Sequence, residues 1–123
     1  MEHVPKSDGG SRGKISTALV GLHTRHYGKG PTAAKTWMVD DTLVCILRDP
    51  FTQVELTLIG EGQEDAVYEM RDRFQQAMRG AFTRLIEEET GRNVIAYMHQ
   101  VNIDPDLSVD VFVLEPAAVS NGT

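Results

Sequence analysis

HYGKGPTAAKTWMVDD, residues 26–41, is the stretch on which the fold turns. It carries the chain out of a helix and into a first strand. Gly28 stands where a left-handed residue would stop the helix, and Pro31 stiffens the exit. Thr36–Val39 has the β-branched and apolar make-up of a strand. Asp40-Asp41 then reads as a tight turn into a second strand, Thr42–Leu47, which Asp49-Pro50 ends.

Toward the N-terminus, a helix is expected from near Ser11 or Lys14 to about Tyr27. Ile15, Leu19, Leu22 and His26 recur every three or four residues and share one face. Residues 1–12 are polar and glycine-rich and read as a flexible tail. Beyond the hairpin, Thr52 and Glu55 form a T-x-x-E capping box. It opens a short helix with Val54, Leu58 and Ile59 on its apolar face, closed by Gly60 and Gly62. One long helix is expected over Gln63–Thr90, with Val67, Met70, Phe74, Met78, Ala81, Leu85 and Ile86 as a continuous stripe and Gly91 as its stop.

Two further strands, Asn93–Val101 and Ser108–Leu114, flank a turn in which Asp104-Pro105-Asp106 forbids a continuing strand. In the last strand Val109, Val111 and Val113 share one face; Asp110, Phe112 and Leu114 share the other. Apolar groups on both faces predict a strand covered on both sides, within the monomer or by a partner subunit. Residues 117–123 read as a second flexible tail. The order is α-β-β-α-α-β-β, an α+β two-layer sandwich. Its four-stranded sheet, mainly antiparallel, is built from two hairpins within a single domain, 13–116. The open edges of such a sheet and its apolar final strand point to a homodimer.

At 123 residues, 41% of them hydrophobic, the chain has enough material for one core and too little for two. A net charge of −6 argues against a general nucleic-acid binder. The charge is uneven: residues 1–51 carry +2 and residues 52–123 carry −8, a polarity that suits a polarised partner. No apolar run approaches the roughly 20 residues that span a bilayer, so direct membrane insertion is not expected. The one cysteine, Cys45, lies in the apolar run Leu43–Leu47 and reads as a small buried hydrophobe. A chain without paired cysteines fits a reducing, cytoplasmic setting.

The sharpest local chemistry is Gly28-Lys29-Gly30 with Lys35. Glycines let backbone N–H groups approach an anion or a partner's acidic group, and Lys29 and Lys35 supply charge. A helix stop followed by a stiff linker explains the same residues without a ligand. The stretch is not a nucleotide-binding loop: position 23 is His23 instead of glycine, and Gly30 stands where a Ser/Thr follows the lysine. His23 and His26 are spaced to share a metal, but no third ligand is identifiable, so no metal site is assigned. On that view His23 is a surface residue and His26 is partly buried. His99 is read as structural, alternating with Met98 between the strand's faces. No catalytic motif is recognisable, no cofactor is implied, and Glu87-Glu88-Glu89 reads as a solvated face.

Four segments together resemble the MpsC-like family. They are YGKGPTAAKTWMVDDTLVCIL (27–47), FTQVELTLIGEGQEDAV (51–67), MRDRFQQAMR (70–79) and TGRNVIAYMHQVNIDPDLSVDVFVLEP (90–116). Members are described as the soluble component of a sodium-translocating, membrane-potential-generating system, formerly a bacterial domain of unknown function. The likeness covers about Gly13–Pro116. It implies a small cytosolic accessory to a membrane system that moves cations or bicarbonate, held at the inner face of the membrane through a protein partner. It implies no catalytic residue. Two classes of function stand: a non-enzymatic interaction subunit, and a small-anion sensor using Gly28, Lys29, Gly30 and Lys35.

Overall fold

The computed structural model describes residues 11–117. The tails expected at 1–12 and 117–123 lie outside them, apart from Ser11, Arg12 and Ala117. Helix α1 (Ser11–Tyr27) leads into strands β1 (Ala33–Val39) and β2 (Thr42–Arg48). Three helices follow: α2 (Gln53–Gly60), α3 (Glu64–Ala77) and α4 (Arg79–Thr90). Strands β3 (Val94–Asn102) and β4 (Leu107–Leu114) complete the chain. All strand pairs are antiparallel, in the order β1-β2-β4-β3, so the α+β sandwich of two hairpins is the observed fold.

The local signals act as their chemistry requires. Gly28 adopts φ 81° and its N–H donates to Thr24 O at 3.0 Å, which ends α1. Asp40 takes φ 54° in the β1–β2 turn, a conformation its short polar side chain tolerates. Thr52 and Glu55 cap each other, side chain to backbone in both directions.

One expected element is two. The helix predicted over Gln63–Thr90 breaks at Met78, whose backbone (φ −94°, ψ 4°) closes α3 and opens α4. Gly80, a poor helix former, follows two residues later and weakens propagation across the joint. The expected stripe is also displaced. Met70 is 40% exposed, whereas Arg71 and Gln75 are buried beside Val67. In α2 the predicted apolar residue Val54 faces solvent and Glu55 faces inward. The strands begin or end one to three residues away from their predicted limits, β1 starting at Ala33 instead of Thr36.

The helices cover one face of the sheet. Register places Met38, Leu43, Phe112 and Tyr97 in one row across that face. With Ile15, Leu19, Phe82, Ile86 and Leu114 they form the main core, and Cys45 lies fully buried among them. Phe51, Val67 and Val101 form a smaller cluster under α2 and α3. The next row, Thr36–Cys45–Asp110–His99, is polar for most of its length. It is this interior polar row that sets the site.

Candidate functional site

The loop singled out from sequence divides its residues between tasks. A Cβ on Gly30 would lie 1.9 Å from Thr24 Oγ1, so a side chain at position 30 fits against α1 only if Thr24 moves. Lys29 donates to the carbonyl of Asp49, and its Nζ lies 3.4 Å from the Asp49 carboxylate. The acid that Lys29 meets is therefore one of the chain's own. Lys35 sits on the outward face of β1 with its ammonium 5.4 Å from the Trp37 ring. Gly28 supplies the helix stop.

The histidines are placed opposite to expectation: His23 is buried and His26 is exposed. Helical spacing sets Ile15, Leu19 and His23 on the sheet side, four residues apart, which turns His26 outward. His23 Nδ1 lies 2.9 Å from Leu19 O; a carbonyl only accepts, so Nδ1 carries the proton. Burial lowers the His23 pKa and outweighs the opposing pull of the Asp110 carboxylate and the Leu19 carbonyl.

Asp110 is the centre of a buried polar chain that the sequence reading did not assemble. Its Oδ1 accepts from His99 Nδ1 at 3.0 Å and from the Tyr97 hydroxyl at 3.0 Å. That hydroxyl also lies 2.8 Å from Gln75 Oε1, and Gln75 Nε2 reaches Tyr27 Oη at 3.3 Å. The Arg71 guanidinium stacks 3.9 Å above the Tyr27 ring and forks the Glu55 carboxylate, which holds the cap of α2. A single connected network thus runs from β4 through β3, α3 and α1 to α2.

Burial, then the neighbouring Asp110, drives the Tyr97 phenol far above its ordinary value. Burial also pushes Tyr27 up to about 12, against the opposing charge of Arg71. For Glu55, burial works to raise the pKa, but hydrogen bonds from Arg71 and Thr52 outweigh it and hold the carboxyl below its usual range. Two shallow clefts of about 210 and 230 Å³ open between α3 and β3, and Asp72 and His99 line both. Signals for this network lay in an aspartate within the apolar run VDVFVL and in the Tyr97-x-His99 alternation facing it. Neither signal says which polar groups meet across elements.

The opposite face of the sheet is apolar and, among the described residues, has no helix over it. Register sets Trp37, Val44, Val111 and Met98 in a row that crosses all four strands. Trp37 is 40% exposed, Met98 53%, and nearby Val39 62%. On the helical side, Glu69, Asp72, Glu88 and Glu89 are exposed on α3 and α4.

Residues 9–116 match the profile of a protein family described as the Na+-translocating membrane potential-generating system (MpsC). The chain belongs to the MpsC family. Among curated proteins and solved structures, none matches it. The family's name ties this member to a sodium-translocating membrane system. No helix among its described residues is long and apolar enough to cross a membrane.

Proposed function

We propose that this MpsC-family protein is a non-enzymatic, cytosolic accessory subunit of a membrane-potential-generating system that moves cations or bicarbonate. It acts as a homodimer and is held at the inner face of the membrane by a protein partner. The observation that carries this reading is the acidic excess on α3 and α4, where the seven carboxylates Glu64, Asp65, Glu69, Asp72, Glu87, Glu88 and Glu89 outnumber the four arginines Arg71, Arg73, Arg79 and Arg84, and Glu69, Asp72, Glu88 and Glu89 stand exposed. Cytoplasmic loops of polytopic membrane proteins carry an excess of Lys and Arg. An acidic surface is complementary to such loops and is repelled by anionic headgroups.

Affinity capture of the tagged chain from its own cells tests the reading. A polytopic membrane protein should accompany the wild type at low salt. The association should weaken at 0.5 M salt and in Glu88→Lys/Glu89→Lys, because contacts between exposed charges are screened. A wild-type capture with no membrane protein in it overturns the accessory role.

A further inference from the structure

We propose that the open sheet face is covered by a second copy of this chain, packed sheet against sheet about a two-fold axis that runs along the strands. This inference rests on the homodimer in the reading above and names the surface and geometry that form it. Each strand turns four positions outward. Of all these positions only Lys35 and Arg48 are charged, and none is a carboxylate. Four strands at about 4.8 Å spacing, each rising about 3.3 Å per residue, give a footprint of about 20 by 25 Å. Two such faces together remove on the order of 1,000 Å² or more from water, the level at which a specific interface begins.

The order of residues across the face selects the axis. An axis along the strands keeps each row over itself and reverses it, so β1 lies over the partner's β3 and β2 over its β4. Trp37 then meets Met98 twice, a sulfur–aromatic contact, and Val44 meets Val111 twice. In the next row Ile46 meets Val109, and Lys35 meets Gln100 at the rim, where its ammonium stays in water. An axis across the strands would instead set Lys35 on Trp37 and Gln100 on Met98, placing polar ends over the largest apolar groups. Aligned packing of two sheets about 10 Å apart is a common solution for such faces.

Other covers fit less well. The residues outside 11–117 include only Met1, Val4 and Val119 as large apolar side chains, too few to fill the face. A bilayer would meet two cations on a molecule of net charge −6. In the dimer α3 and α4 of both copies, with their excess of carboxylates, face outward, free for the membrane partner.

Sedimentation velocity on the whole chain, with cysteine cross-linking, tests the proposal. The wild type should sediment as a dimer at tens of micromolar, and Val111→Lys as a folded monomer. A short bismaleimide should link a Trp37→Cys chain to a Met98→Cys chain when the two are refolded together, and should link neither variant to itself. Should Val111→Lys not fold, Trp37→Glu at the exposed rim serves in its place. A wild-type dimer that keeps its mass in these folded variants overturns the surface and leaves the homodimer standing. So does a dimer in which Trp37→Cys links to itself. A wild-type monomer up to about 100 μM overturns both the surface and the homodimer, and flotation of that monomer with anionic vesicles would assign the face to lipid. Neither result touches the accessory role, which the capture experiment reads separately.

Discussion

Arg71 grips Glu55 by two parallel hydrogen bonds, Nε to Oε2 at 2.6 Å and Nη2 to Oε1 at 2.7 Å, with both side chains 1% exposed. The fork joins α3 to the cap of α2, and its remaining bond, Nη2 to Pro50 O at 2.8 Å, fastens the end of the first hairpin. Removing one partner leaves the other charge buried. Arg71→Met should therefore cost about 3–5 kcal/mol of folding stability, read by urea denaturation. A loss under 1 kcal/mol would show that the fork contributes little net stability.

The same fork sets the acid limb of the stability curve. Glu55 titrates lower in the folded chain than in the unfolded one, so the unfolded state binds its proton first as pH falls. Its contribution is complete above about pH 4.5 and is lost as pH drops from there through the folded value. Glu55→Gln should flatten the acid limb in that window. Unfolding midpoints at pH 5.0, 4.5, 4.0 and 3.5 provide the comparison, and parallel curves for wild type and variant would remove Glu55 as the cause.

His23 acts in a separate window with the same sign. Burial depresses its folded pKa below 6.5, so the unfolded chain takes up the proton first. Stability from this residue is complete above about pH 6.5 and declines below it, with a slope of at most about 1.4 kcal/mol per pH unit. His23→Leu, packed beside Phe82 and Tyr27, should remove that slope between pH 6.5 and 5.5. An unchanged slope in the variant would assign the pH dependence to other groups.

These windows rest on residues whose burial was the least legible part of the sequence. Helix stops, the Asp40-Asp41 turn and the Thr52–Glu55 cap depend on neighbours within a few residues, so their chemistry is visible in a local stretch. The side of α1 that meets the sheet is a different matter. Leu19 fits a face containing either His23 or His26, and only the position of Asp110 and Phe82 decides for His23. Likewise Arg71 and Gln75 read as solvent-facing until Glu55, Tyr27 and Tyr97 are known to stand opposite them. Apolar periodicity finds a stripe; it does not see polar groups that pay for their burial by pairing across elements.

Tyr97 and Gln75 should be energetically coupled. The Tyr97 hydroxyl has one proton and stands 2.8 Å from Gln75 and 3.0 Å from Asp110, so its removal leaves two buried polar groups with a partner fewer. Tyr97→Phe should cost about 1–3 kcal/mol. In a double-mutant cycle with Gln75→Met, the two losses should fall short of additivity by about 0.5 kcal/mol or more. Strict additivity would mean the hydroxyl and the amide act independently.

Two glycines separate a packing role from a ligand role in the loop. Gly21 lies within α1 with no atom within 4 Å of a would-be Cβ, so Gly21→Ala should stabilise the chain by about 0.5–1 kcal/mol through helix propensity alone. Gly30 faces the opposite situation, because its Cβ would strike Thr24 Oγ1 at 1.9 Å. Gly30→Ala should destabilise the fold by about 1–3 kcal/mol, the cost of forcing extra volume into a packed contact. Thr24→Ala should recover much of that loss in the double variant, since it deletes the clashing oxygen and leaves the Thr24 Cβ position at 3.2 Å. Thermal melts of the four proteins decide the matter. Recovery identifies Gly30 as the glycine that lets the loop pass over α1. A double variant no better than Gly30→Ala alone would place the requirement for glycine elsewhere, in the approach of the backbone to a bound group.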